Sequence, residues 1–504
     1  MKARIGLCLV VSVAFGCNPN TGGHDVTPTD SGGDTSTTDG GTSTVYPAPY
    51  TALTFTPSTV RPATPAAPAG YQGKLLRGPD GTLYYAYFHA TGTSLGQCPA
   101  GQPPDAITCC DIARFSTGGA APGINYWLEV GVLAPGASAW SIETVPLNQI
   151  VGASAYVTNR YGLEGTIDAQ GRAVLVFAGG LPSTSNCGSS DLVVATRTGV
   201  ATWSVQNPVT DSTGCCAVPD CPNGGACAMG DVVGLWAAAT IDGDGNLVST
   251  FMDYHYYWDL DGQTYPGLEL WGGGTPTGIE PWSGRGKYAQ LRWLQPKSGS
   301  TFSGLMSVYT SKDDMGLFVT RRKTTTGHVT DWERASGLTT MRDLISGGQI
   351  GERPSLAVAP DGTVGVALYL MADAVGVPKQ DLVYCYSTDN GDHWVVPCEN
   401  VDTTNTVGEY PSLAYDKKSR PMISYYYCGA GGNCTPEGDA LRLAWRDDVS
   451  RKWLHYVAYA DAGTKAGLYS QLVVDPTTDE PTITFQDTTR GAAMVVRGHL
   501  TGGN

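Results

Sequence analysis

Five short strings share one form in this 504-residue chain: Gly234-Leu235-Trp236, Gly286-Lys287-Tyr288, Gly351-Glu352-Arg353, Gly408-Glu409-Tyr410 and Gly467-Leu468-Tyr469. Each stands just before an apolar run, so Trp236, Tyr288, Arg353, Tyr410 and Tyr469 occupy one phase of a repeat. Tyr71 and Tyr161 fall within about one residue of that phase. Brought together, such a set suits a sugar: aromatic faces stack on C–H surfaces, while charged groups orient hydroxyls or a carboxylate. Glu352 and Glu409 adjoin the phase and are the candidate acids if the chain hydrolyses its ligand; no catalytic residue is otherwise assignable. The opposing reading makes the aromatics packing residues and the two glutamates turn residues.

Other chemistry finds less support. The segment IDGDGNLVSTFMD puts Asp242, Asp244, Asn246 and Asp253 at positions 1, 3, 5 and 12 of a calcium loop. Leu247 stands where such a loop needs glycine, and Asp253 where it needs glutamate. A β-turn is the expectation, with Ca²⁺ on Asp242 and Asp244 as the alternative. The seven histidines are scattered, with no close pair for a transition metal and no hydrolase triad pattern. No other cofactor and no metal is expected, and no glycine-rich phosphate loop occurs.

The elements that must position these residues repeat seven times. An apolar strand, a Gly/Asp turn and a second apolar strand recur as KLLRGPDGTLYYAYF (74–88), EGTIDAQGRAVLVFA (164–178), AAATIDGDGNLVSTFM (237–252), PSLAVAPDGTVGVALYL (354–370), PSLAYDKKSRPMISYYY (411–427) and SQLVVDPTTDEPTITFQD (470–487). A weaker copy fills 289–309. Further strands between the pairs, often carrying a late tryptophan such as Trp203, Trp394 or Trp453, bring each unit to about four. No sustained amphipathic helix is legible. The expected fold is all-β, a β-propeller of seven four-stranded blades, closed by the unattached strand YTALTFTPSTV (50–60). A six-bladed ring, with 289–309 as an insertion, is the competitor.

Residues 386–394, YSTDNGDHW, contain Ser387, Asp389, Gly391 and Trp394 in the pattern S-x-D-x-G-x-x-W. With the repeat around it, the domain from about 50 to 504 resembles a BNR/Asp-box propeller of the sialidase-like superfamily. That resemblance implies a structural hairpin at a blade periphery, with Ser387 and Asp389 tying down the turn and Trp394 packing between blades. Sialidases of this family imply three arginines on a substrate carboxylate, a tyrosine nucleophile and an acid aspartate. The Arg-Ile-Pro motif that supplies the first arginine is absent here, and those enzymes have six blades. Enzyme activity is therefore the secondary expectation, as a glycoside hydrolase or lyase. The primary one is non-catalytic binding of a glycan or an envelope protein, and a third is a structural role in an envelope assembly.

The start, MKARIGLCLVVSVAFGC (1–17), has a basic head, an apolar run too short to span a bilayer, and a terminal Ala-Phe-Gly-Cys resembling a bacterial lipobox. Cys17 is the expected lipidation site, so contact with membrane is expected through the lipid anchor alone. Ordinary secretion is the alternative; either way the chain is expected to leave the cytoplasm, most simply for the outer membrane or cell surface. Residues 18–49 are Gly, Ser, Thr and Asp-rich and read as a flexible tether. A net charge of −15 argues against nucleic acid. Of fourteen cysteines, Cys385 with Cys398 and Cys428 with Cys434 are the expected disulfides; eight more, mostly in insertions near 98–127 and 210–230, have no deducible pairing.

Overall fold

The computed structural model describes residues 45–90, 126–147, 156–157, 162–180, 188–209, 216–218, 227–258, 264–274, 276–280, 285–311, 317–322, 332–334, 349–351, 353–372, 376–429, 439–461 and 463–502. The regular elements there are β-strands, gathered into seven sheets that form the blades of a propeller. From the channel outward, blade I runs Ala69–Arg77, Leu83–Ala90, Tyr126–Leu133, Ser141–Thr144. Blades II to VII begin at Leu163, Leu235, Arg285, Ser355, Thr406 and Ala466 and each contain the antiparallel order of four, with further strands added to the sheets of blades II and V. Each innermost strand touches its two neighbours, from blade I round to blade VII and back to blade I.

The weak repeat proves to be a full blade. Arg285–Leu294, Gly304–Ser311, Leu317–Arg322 and Trp332–Arg334 pair in order, so the six-bladed alternative is excluded. The ring closes where expected: Tyr50–Arg61 lies antiparallel to Ala492–Gly502, with Leu53 opposite Leu500, and supplies the outer strand of blade VII. Arg420 fastens the start of that strand, donating from Nη1 to the Ala48 carbonyl at 2.7 Å. The pairing covers the edge that Ala492–Gly502 would otherwise expose.

Why the Gly/Asp turns recur is visible in their hydrogen bonds. Asp80, Asp168, Asp242, Asp361, Asp416 and Asp475 each accept a backbone amide from two residues on, at 2.8–3.0 Å. Their carboxylates close the inner hairpin turns, the ordinary role of aspartate in such loops. Asp242 also accepts the Asn246 amide at 2.9 Å. The hairpin carries Asp253 beyond Met252, which pairs with Leu235, whereas Asp242 sits at the turn after Ile241. Strand pairing thus puts Asp242 and Asp253 at opposite ends of the blade, and the calcium-loop spacing does not form a loop.

The YSTDNGDHW segment forms the turn between the third and outer strands of blade V. Ser387 Oγ accepts the Gly391 amide at 2.8 Å, and Asp389 Oδ1 accepts the His393 amide at 2.8 Å. Trp394 is buried in the cluster shared by blades IV and V, against Leu294, Met306 and Val364. Cys385 and Cys398 are bonded across the same turn, with S–S 1.98 Å. Cys428 is also disulfide-bonded. Cys17, Cys434, Tyr161, Glu352 and most of 98–127 and 210–230 lie outside the described residues.

Candidate functional site at the channel mouth

The seven innermost strands enclose a central cavity of about 660 Å³. The phase read from the sequence converges at one end of it. Trp236, Tyr288, Arg353, Tyr410 and Tyr469 all line the cavity, and each has a left-handed backbone, with φ of 46°, 51°, 66°, 53° and 54°. Blade I places Gln72 there (φ 54°), and blade II places Gly162 (φ 84°), each one residue after the tyrosine singled out from the sequence.

The local cause is a bulge. Strand register slips just after Tyr71, Leu235, Lys287, Glu409 and Leu468, so the same extra residue is accommodated in five blades. The glycine two residues before the ring position presses on the third strand of the preceding blade. A Cβ on Gly234 would stand 2.7 Å from Leu192 Cα, and one on Gly408 2.9 Å from Leu382 Cα. Glycine lets the blades close at that height, and the bulge then swings the ring side chain into the mouth.

The ring side chains touch in series. Trp236 lies 5.5 Å from Tyr288, centroid to centroid, and Tyr410 lies 4.7 Å from Tyr469, which in turn meets Tyr71 at 6.0 Å. The Arg353 guanidinium sits over Tyr288, Tyr410 and Tyr469, 5.1, 5.3 and 5.0 Å from their centroids, and donates across the mouth to Gln72 Oε1. Lys287 Nζ covers the outer face of the set, 5.1 Å from the Trp236 ring centroid. Trp236 and Gln72 are buried, while the three tyrosines and Arg353 are half-buried and reach solvent. Burial, reinforced by Tyr469, pushes the Tyr71 hydroxyl above its ordinary pKa. Glu409 precedes the ring in blade VI, pairs with Tyr426 across the hairpin, and is not among the described lining residues.

Two and four residues further along the strands lies a polar interior that the sequence reading did not single out. Lys74 of blade I is paired with Glu164 of blade II at 2.5 Å, and Gln290 of blade IV donates to Glu164 at 2.9 Å. Ser355 Oγ accepts the Leu413 amide and Ser412 Oγ the Leu472 amide, both at 2.9 Å, stitching blades V, VI and VII. Reading every second residue down each inner strand from the ring position would have found this layer.

No family model matches the chain, and no curated protein matches it. Among solved structures it is similar to a protein of unknown function from Dyadobacter fermentans, at 10% identity and TM-score 0.40, over 88% of this chain and 99% of that one. It is similar to a mutant of the NanB sialidase of Streptococcus pneumoniae, at 10% identity and TM-score 0.40, over 88% and 70%. A Penicillium chrysogenum α-L-arabinanase complexed with arabinobiose gives 13% identity and TM-score 0.41, over 88% and 98%. The seven-bladed fold stands on its own strand pairing.

Proposed function

We propose that this protein is a binding module, held at the bacterial envelope by a lipid on Cys17, that retains a glycan at the channel mouth without transforming it. The observation that carries this reading is the backbone of the ring. Four aromatic residues and one arginine hold left-handed conformations there. For a residue with a Cβ that conformation costs roughly 1–2 kcal/mol. Glycine would relieve the strain, as Gly162 does in blade II. Strained residues of this kind gather where a side chain is needed for a ligand. The half-buried tyrosines offer faces and edges to sugar C–H surfaces, and the guanidinium and Gln72 amide offer donors to oxygens.

Hydrolysis finds less support. Among the described lining residues there is one carboxylate, Glu164, and it is bonded to Lys74 and Gln290. A glycosidase places two carboxyl groups across the scissile bond.

The test is to incubate the full-length chain with a broad panel of bacterial and host glycans and analyse bound and free fractions by mass spectrometry. Intact glycans retained by the wild type and lost in Tyr410→Gly support the proposal. Shortened products overturn it in favour of a hydrolase, and Glu409→Gln then shows whether Glu409 is its acid. With nothing bound or cut, the ring is packing and the glycan reading fails.

A further inference from the structure

The channel interior carries a cation that forms no ion pair with a carboxylate among the described residues. Arg292 lies on the innermost strand of blade IV, four residues beyond Tyr288, and lines the cavity half-buried. Allowing for the bulge after Lys287, this stretch of strand sets it roughly 10 Å below the mouth ring. Among the described residues its hydrogen bond runs from Nη1 to the carbonyl of Leu291, at 2.7 Å. Among the described residues no carboxylate lies within ion-pair distance of it. Glu164, the carboxylate in the wall, is taken by Lys74 at 2.5 Å and by Gln290 at 2.9 Å. Arg77, at the far end, is paired with Asp475.

Two cations therefore share one carboxylate in an enclosed space, inside a protein whose net charge is −15. Burial holds Lys74 below its ordinary pKa; Glu164 opposes that shift and Arg292 adds to it. Burial lowers Arg292 as well, again opposed by Glu164. A guanidinium is a planar fork whose paired N–H groups match two oxygens of a carboxylate or phosphate. Here most of that fork has no hydrogen-bond partner among the described residues, and Arg292 lines the cavity.

We propose that the central channel is an anion site, in which the Arg292 guanidinium takes an oxyanion group, carboxylate or phosphate, beside the Lys74–Glu164 pair. The site lies inside the channel and does not depend on what the mouth ring binds. The group could arrive as a free anion or as the acidic end of a saccharide entering past Tyr288 and Arg353. Both share the same chemistry at Arg292.

Titration calorimetry of the full-length chain at constant ionic strength, with chloride as the reference salt, tests this with four probes: acetate, inorganic phosphate, glucuronate and glucose. Saturable binding of an anionic probe that weakens roughly tenfold or more in Arg292→Gln is expected, since a charge-assisted bond is lost. Arg292→Lys keeps the charge without the fork and should fall between. Glucuronate bound far more tightly than acetate, phosphate and glucose identifies an acidic saccharide; phosphate or acetate bound as well as glucuronate identifies a free anion. Equal binding by wild type and Arg292→Gln, or none by the wild type, overturns the proposal. If Arg292→Gln does not fold, wild-type crystals soaked in selenate decide it: anomalous density within hydrogen-bond distance of Arg292 supports the site, and an empty channel overturns it.

Discussion

The guanidinium carbon of Arg353 stands 5.0 Å from the ring centroid of Tyr469, although 116 residues and two blade boundaries separate them in the chain. Arg353 is the hub of the mouth, since Tyr288 and Tyr410 pack on it at 5.1 and 5.3 Å and Gln72 accepts its hydrogen bond. Partly desolvated cation–π contacts contribute on the order of 1 kcal/mol each. Arg353→Gln should lower the thermal midpoint by several degrees and weaken glycan retention about tenfold. A wild-type midpoint with wild-type retention would remove Arg353 from the site.

The strained ring makes an asymmetric prediction about stability. Tyr410→Gly gives up a half-buried ring but regains roughly 1–2 kcal/mol of backbone strain. Tyr425→Ala, at a fully buried position in the same blade, has no such offset and should cost about 3–5 kcal/mol. Thermal unfolding should therefore rank Tyr410→Gly well above Tyr425→Ala, while only the former abolishes retention without broad loss of fold. The reverse ranking would mean that Tyr410 is held for packing.

Blade VII depends on both chain ends. Deleting residues 45–61 leaves Ala492–Gly502 as an open strand edge and removes Tyr50 and Leu53 from a buried cluster. Exposed edges recruit other chains. Light scattering after size exclusion should show larger oligomers or more aggregate than the intact chain gives. A monodisperse, equally stable truncation would show that closure of the ring is dispensable.

Acid sensitivity has a specific origin between blades IV and V. Asp392 is bonded to the buried Arg321 at 2.7 Å and accepts the Thr301 amide at 2.7 Å. Burial alone would raise its carboxyl, but the bonds from Arg321, Thr301 and Ser300 bring it down to about 2. Its folded value is depressed, so the stability it contributes is present above the unfolded value of about 4 and is lost as pH falls from there towards 2. Asp392→Asn should flatten that acid limb. It should also cost about 3–5 kcal/mol near neutral pH, because the buried Arg321 loses the Asp392 carboxylate. Denaturant unfolding at pH 7, 4 and 3 measures both.

The Cys385–Cys398 bridge encloses a short stretch, with a sequence separation of 13. Constraint of a loop that size in the unfolded chain contributes about 3 kcal/mol. Cys398→Ser should lower the denaturation midpoint by a corresponding amount and leave the mouth ring intact. An unchanged midpoint would show that the hairpin needs no bridge.

By itself the sequence determined what repeats. Alternating apolar runs, Asp/Gly turns and a surplus strand at the N-terminal end specify blades, their hairpins and the closing of the ring, because these depend on local periodicity and on turn chemistry within a few residues. The shared phase of Trp236, Tyr288, Arg353, Tyr410 and Tyr469 was legible for the same reason. It slipped by one residue at Gln72 and Gly162, where the ring position carries no aromatic and a tyrosine, Tyr71 or Tyr161, stands one residue before it. Tertiary structure alone decided that the weak copy at 289–309 is a whole blade, since its third and fourth strands declare themselves only by pairing. It alone decided that Asp242 and Asp253 part company along a hairpin. It also decided which charges meet: Lys74, Glu164 and Arg292 come from blades I, II and IV, up to 218 residues apart, and only closure of the ring brings them into one channel. Local pattern fixes the path of each strand, but the balance of charge inside a propeller is a sum over all seven, and no single segment contains it.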